Sequence, residues 1–216
     1  MTEKILSNSM TTVITLKQAK LSLPFLFSGL ALVIYIFLGV KLFYSLIILF
    51  APSLFIVIKV SQKLSITEKI EFTNDIKKGA NIGVLATASY DAIRFILYSA
   101  GAVNFFPFET FRHFGNALIG DGYLYSTYFI VGTIYHILNG ITFSIAYTIC
   151  FKGKNFVYGI AWALGLEILM LISYTNWASL NLEGKMSGFL IVSLVGHFTY
   201  GATVGFLNQY QFKSKR

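Results

Sequence analysis

The chain has 216 residues, of which 56% are hydrophobic and 12% are charged. An ordinary soluble domain carries about 25% charged residues, so this composition, with a mean hydropathy of +0.69, indicates a protein of the lipid bilayer. The net charge of +8 does not require nucleic acid as a partner, because lysines that anchor helices at the cytoplasmic face of a membrane explain it.

The first two predicted spans lie near the N-terminus. Residues 1–20 lack a short apolar core before a cleavage site, so we expect a cytoplasmic tail rather than a secretory signal. Two apolar runs follow, residues 21–40 and 42–60, and each has the roughly 20 residues that a helix needs to cross a membrane. Gly39 and Lys41 mark a tight turn between these two spans.

The rest of the chain supplies four more predicted spans. Residues 61–79 are polar and are expected to form a short helix on the cytoplasmic surface. The spans are uniformly apolar, so they are helices rather than the alternating strands of a barrel. Cys150 is the only cysteine, which excludes an intramolecular disulfide. The prediction is one transmembrane domain, 21–207, with spans at 21–40, 42–60, 80–102, 124–150, 156–175 and 187–207, and a basic tail, 208–216.

The basic residues indicate the orientation of this six-helix bundle. Six crossings place thirteen lysines and arginines on the side of the two tails and three on the other side, which is a strong positive-inside bias. The predicted fold is therefore an all-α integral protein of the cell membrane with both termini in the cytoplasm. The thirteen are Lys4, Lys17, Lys20, Lys59, Lys63, Lys69, Lys77, Lys78, Lys152, Lys154, Lys213, Lys215 and Arg216; the three are Lys41, Arg112 and Lys185.

The segment NFFPFETFRHFGNALIGDGY, residues 104–123, is too polar to cross. Phe105, Phe108, Phe111 and Phe114 recur every three residues beside charged side chains. This pattern predicts an amphipathic helix at the outer interface, between the third and fourth spans. It serves either as an aromatic belt or as a lid over an external vestibule.

Ionisable side chains occur at one depth in four different spans. Asp91, His136 and His197 fall at the middle of the third, fourth and sixth spans, and Glu167 slightly past the middle of the fifth. A charged side chain at this depth costs about 2.5–3.5 kcal/mol, so we expect these groups to face one polar centre. With nearby polar residues, the predicted substrate or proton site comprises Asp91, Arg94, His136, Asn139, Glu167, His197 and Tyr200.

Small residues spaced four apart support a tight bundle of the last four spans. The pairs Gly79–Gly83, Ala161–Gly165 and Gly201–Gly205 are predicted to let helices approach closely. Purely structural roles are open for the polar residues too. Asp91 can pair with Arg94 on the same helix, and a membrane histidine can bond a neighbouring carbonyl.

Three functions fit this polar centre. The first is binding or transfer of a small polar solute or of protons, by a homo-oligomer or with a partner membrane subunit. The second is a metal- or haem-dependent enzyme, with His136, Glu167 and His197 as ligands. The third is an accessory subunit of a membrane complex, in which the polar groups hold helices together. The expected surroundings are the lipid bilayer in every case.

Two segments resemble parts of rhomboid proteases. YHILNG and GHFTYGATVG are similar to the histidine-asparagine helix and the last helix of that family, which also has a six-helix core. The asparagine and glycine spacings differ, and the segment YGIAWALGLEIL of the fifth span contains no serine nucleophile. Catalytic roles are therefore not carried over to this chain.

Overall fold

The computed structural model describes residues 14–173 and 185–213, and these residues are helical, with no strand among them. Parts of both predicted tails and the end of the fifth predicted span, residues 174 and 175, lie outside the described residues. The helices are α1 Leu16–Ser22, α2 Phe27–Leu38, α3 Leu42–Gln62, α4 Ile66–Ser99, α5 Glu109–Ile119, α6 Tyr125–Cys150, α7 Phe156–Ser173 and α8 Met186–Lys213, and a 3₁₀ turn, Leu23–Leu26, joins α1 to α2.

Four helical segments are long and apolar enough to cross a membrane. They are Leu16–Leu38, Leu42–Gln62, Tyr125–Cys150 and Met186–Phe212, and they correspond to the predicted first, second, fourth and sixth spans. A fifth apolar helix, Phe156–Ile172, is shorter. The protein is thus all-helical, with the apolar helices that a membrane-embedded chain requires.

Helix α4 differs from the prediction of a surface helix followed by a separate third span. One helix runs without a break from Ile66 to Ser99. It begins at a capping box, in which the Ser65 hydroxyl accepts from the Glu68 N–H at 3.3 Å and the Glu68 carboxylate accepts from the Ser65 N–H at 2.8 Å. Proline, which would end the helix, is absent from this part of the sequence. The change from polar to apolar residues near position 79 therefore alters the surroundings of the helix and not its backbone.

Helix α8 extends beyond the predicted end of the sixth span at residue 207. It continues to Lys213, so most of the predicted basic tail is helical. The buried Asn208 explains this extension. Its side chain accepts from the Gly153 N–H at 3.2 Å and donates to the Phe151 carbonyl at 3.3 Å. These bonds attach the last turns of α8 to the turn between α6 and α7.

Glycines bring two pairs of helices into backbone contact. A Cβ added to Gly79 or to Gly83 of α4 would lie 2.7 Å from a backbone Cα of α6. A Cβ added to Gly205 of α8 would lie 2.6 Å from the Cα of Phe156 in α7. Two of the predicted small-residue pairs therefore do pack closely. The third pair does not, because Ala161 and Gly165 are exposed and α7 turns Gly159 and Ala163 towards α8.

Lysine-rich turns meet at one end of the bundle. The Lys152 ammonium lies 2.7 Å from the Glu71 carboxylate and 2.9 Å from that of Asp75, and Lys17 pairs with Glu68. Burial lowers the pKa of Lys152, but hydrogen bonds to the two carboxylates outweigh it, so that the pKa is raised. These contacts gather the start of α1, the start of α4 and the α6–α7 turn.

Helices α2 and α3 form a peripheral hairpin at the side of the bundle. The Ser28 hydroxyl of α2 lies 2.8 Å from that of Thr142, and the Tyr135 hydroxyl donates to the Ser28 carbonyl at 2.7 Å. Helix α3 is mostly exposed, with apolar side chains such as Ile48 and Phe55 on its outer face. The hairpin is therefore held to the bundle by side-chain contacts, whereas α4 with α6 and α7 with α8 are in backbone contact.

The two glycines of α7 should respond in opposite ways to the addition of one methyl group. Gly159→Ala is expected to lower the free energy of unfolding by about 1–3 kcal/mol, because the new Cβ would overlap the backbone of α8. Gly165→Ala is the matched control and should leave stability unchanged or raise it by up to about 1 kcal/mol through helix propensity. Thermal unfolding of the purified variants measures both. Equal losses of stability would show that α7 and α8 do not pack in this way.

Candidate functional site

A cavity of about 470 Å³ lies within the bundle, between α4, α6, α7 and α8, with α2 as a side wall. Ligand sites typically have volumes of about 300–1,000 Å³. Helix α5 lines the cavity at the end opposite the lysine-rich turns, through residues such as Thr110, His113 and Ala117. The structure brings six of the seven predicted site residues to its wall: Arg94, His136, Asn139, Glu167, His197 and Tyr200.

Arg94 connects the C-terminal part of α4 to the start of α5. Its side chain is only 3% exposed. The Nη1 atom lies 3.3 Å from the Asp91 Oδ1, and Nη2 donates to the Pro107 carbonyl and, at 3.4 Å, to the Thr110 hydroxyl. The Arg94 Nε has no hydrogen-bond partner in the part of the chain that the structure describes. The Nε group is therefore a buried N–H without a partner, in a side chain that lines the cavity.

Asp91 lies behind this wall and joins two groups that do line it. Its Oδ1 contacts Arg94 and lies 3.2 Å from the Nε2 of His136. The His136 contact is an ion-pair distance without hydrogen-bond geometry, and Nε2 has no hydrogen-bond partner within residues 14–173 and 185–213. Asp91 thus provides negative charge to both neighbours while His136 keeps its hydrogen-bonding capacity.

Glu167 and His197 form a second acid–imidazole pair. Glu167 is 1% exposed. It accepts from the Ser193 hydroxyl at 2.5 Å, and its Oε2 lies 3.1 Å from the His197 Nδ1. This Nδ1 also lies 2.9 Å from the Ser193 carbonyl oxygen. Because a carbonyl can only accept, Nδ1 carries a proton and Nε2 is the basic nitrogen of the neutral ring.

The ring of Tyr90 stands between the two pairs. Its centroid lies 5.4 Å from that of His136 and 5.1 Å from that of His197. The Arg94 guanidinium lies over the same ring at 4.7 Å, within the range of a cation–π interaction. Tyr90 therefore divides the polar centre into two halves that share one aromatic contact.

This division separates the two imidazoles of the predicted metal or haem site. No three His, Cys, Asp or Glu side chains are grouped closely enough to hold a metal ion within the described ranges. His136 lies beside Asp91, whereas His197 lies beside Glu167. The ring of Tyr90 contacts both imidazoles.

The remaining predicted residues lie on α6 and α8. The Tyr200 hydroxyl donates to the Gly140 carbonyl at 2.5 Å and so joins the two helices inside the cavity wall. The Oδ1 of Asn139 is buried and has no hydrogen-bond partner among the residues described. With the Nε of Arg94 and the Nε2 of His136, it is the third such polar atom contributed by the cavity residues.

Helix α5 lies over the end of the cavity opposite the lysine-rich turns. A Cβ added to Gly115 or to Gly132 would overlap the other helix's backbone, so α5 lies directly on α6. Burial lowers the pKa of His113, and the charge of Arg112 lowers it further. The aromatic segment predicted between the third and fourth spans is therefore a helix, and it forms a roof over the cavity.

Sequence reasoning missed two contacts that organise this site. Ser193 lies one helical turn before His197, so its spacing is a signal that indicates a shared face. The Pro107 carbonyl offers no comparable signal, since every residue has a carbonyl group. Its role depends on where α5 lies relative to Arg94.

Two buried tyrosines provide a matched test of these bonds. Tyr200→Phe is expected to lower the free energy of unfolding by about 1–2 kcal/mol, because it removes the bond to Gly140. Tyr147→Phe should have no cost, since that hydroxyl lacks a partner in the described structure. Thermal or denaturant unfolding in detergent measures the difference. A Tyr147→Phe loss as large as that of Tyr200→Phe would contradict the assigned bonds.

The chain was compared with models of protein families, with curated proteins and with solved structures, and none of the three comparisons found a match.

Proposed function

We propose that this chain is a polytopic cell-membrane protein that binds a small polar solute in the cavity and transfers it, with protons, across the bilayer. The observation that carries this proposal is the set of three hydrogen-bonding atoms without partners, contributed by Arg94, His136 and Asn139 within the described residues. Each buried atom of this kind costs about 1–3 kcal/mol. A polar solute that reaches all three, through small movements of the side chains that cover them, recovers that cost.

The proposed arrangement in the membrane has six spans, with both termini in the cytoplasm. The apolar part of α4 and helix α7 are the third and fifth spans, because α4 packs against α6 and α7 against α8, each through glycine. The gathering of lysine-rich turns at one end supports a cytoplasmic location for that end. The cavity, roofed by α5, then faces the outer side.

Polar atoms continue from the cavity towards the lysine-rich end. Ser144, Tyr147 and Thr148 of α6 and Trp162 of α7 each have a buried polar atom that finds no partner within the described chain. Tyr147 and Trp162 are packed against Phe151 and close this half of the bundle. A polar but closed segment below the site is what alternating access requires in one of its two states.

A cavity-filling substitution tests solute binding. Leu166 lines the cavity, whereas Ile168 on the same helix is exposed. We expect Leu166→Trp to abolish the rise in melting temperature that a bound solute produces, because the indole occupies the space of the solute. The panel is benzoate, benzylamine, benzamide, glucose and adenine, measured on purified protein.

Ile168→Trp is the control, and it should respond to the panel as the wild type does. Binding to the wild type that is lost only in Leu166→Trp supports the proposal. Failure of all five compounds to stabilise the wild type, or equal responses of the two variants, would contradict it.

The accessibility of the closed half of the bundle, between the cavity and the lysine-rich end, tests whether the protein transfers a solute. In a Cys150→Ser background, Thr148→Cys should react with a hydrophilic methanethiosulfonate added at the lysine-rich side of membrane vesicles. The expected rate is about 100-fold below that of Gln62→Cys, because the open state is a minor one. Gln62 is the exposed control at the end of α3. If Thr148→Cys does not react with the reagent at all, the protein binds the solute but does not transfer it.

A further inference from the structure

We infer that the solute is a small amphipathic carboxylic acid, taken up as one carboxylate together with one proton. This inference rests on the proposed function and specifies its substrate class. It follows from three features of the cavity: its spare donor and acceptors, its charge balance and its apolar part.

The spare hydrogen-bonding atoms match a carboxyl group. The Arg94 Nε is a charged donor, and the Asn139 Oδ1 is an acceptor, and both lack partners in the residues described. A carboxylic acid presents a carbonyl oxygen to the first and an O–H to the second. Arginine–carboxylate hydrogen bonds are also among the strongest, because the donor is charged. The two carboxylates closest to these groups do not fill this role, since Asp91 does not line the cavity and Glu167 is engaged by Ser193 and His197.

The charge balance requires a proton to accompany the acid. Two acidic side chains, Asp91 and Glu167, and one arginine, Arg94, lie at the site. A further carboxylate in an apolar bundle is costly, so the acid binds only with a proton from the aqueous phase, carried on its carboxyl group. The titratable or charged groups around His136 are Tyr90, Asp91 and Arg94 of α4, His113 of α5, Glu167 of α7 and His197 of α8.

The rest of the cavity fits an apolar body. Apolar side chains from five helices line it, including Ile36, Phe114, Phe143, Met170 and Val192. A sugar or a free amino acid would place polar groups against these walls without partners. A carboxyl group attached to a ring or a short alkyl chain places polar and apolar parts against matching surfaces.

Calorimetric titration of the purified wild-type protein with benzoate tests this inference. The apparent affinity should rise about tenfold for each unit that the pH falls, between about pH 8 and pH 6, since one proton is bound with each benzoate. Titrations in buffers of different ionisation enthalpy should give an uptake of about one proton per benzoate. Benzamide and benzylamine are the neutral and cationic counterparts of similar shape. Both are expected to bind at least about tenfold more weakly than benzoate at pH 6.

Variants of Arg94 and Arg112 test where benzoate binds. Arg94→Gln should weaken benzoate binding at least about tenfold, whereas Arg112→Gln, on the outer part of α5, should leave it unchanged. If Arg94→Gln fails to fold, Asn139→Leu provides the same test without removing the bonds that Arg94 makes to α5.

The possible outcomes separate this inference from the proposed function. The carboxylic acid would be ruled out as the substrate class, while the cavity would remain a solute-binding site, in any of three cases. These are tighter binding of benzylamine than of benzoate, equal and pH-independent binding of benzamide, and binding only of glucose or adenine. Unchanged benzoate binding in folded Arg94→Gln, or in Asn139→Leu where that variant stands in, would also overturn it. If no member of the panel binds, the proposed function fails as well.

Discussion

The structure depends on one buried guanidinium. Arg94 is nearly inaccessible to solvent in an apolar bundle, so its charge must be compensated inside the protein. Asp91 supplies a charge from the same helix, and Pro107 and Thr110 supply oxygen atoms from the segment that leads into α5. The roof of the cavity is therefore positioned by a residue that also lines its interior.

A second constraint explains why a cavity exists at all. Glycines allow α4 to contact α6 and α7 to contact α8 at the level of the backbone, which leaves no space within those pairs. Helix α2 meets the bundle through larger side chains, and the Ser28–Thr142 and Tyr135–Ser28 bonds hold it at a distance. The cavity lies where the backbone packing through glycine meets the side-chain packing of α2. Its wall is accordingly rigid on one side and held by a few side chains on the other.

The sequence predicted position along each helix better than rotation about it. Counting residues along apolar runs was sufficient to group His136, Glu167 and His197, which the structure places around one cavity, because a helix rises by a constant amount for each residue. Which face of a helix points inward depends on its neighbours, so Gly165 was expected at a contact and is exposed. The pairing of each imidazole with its own carboxylate depends on the same rotations. For this reason His136, Glu167 and His197 do not form one group of ligands in the described structure.

The unbroken α4 has a mechanical consequence. A helix of 34 residues is about 50 Å long, whereas the hydrocarbon core of a bilayer is about 30 Å thick. Its excess length carries Glu71 and Asp75, which hold Lys152 at one end, while Asp91 and Arg94 lie towards the other. A stiff rod of this kind acts as a lever. Displacement of its protruding arm would also displace Tyr90 and Arg94, which line the cavity.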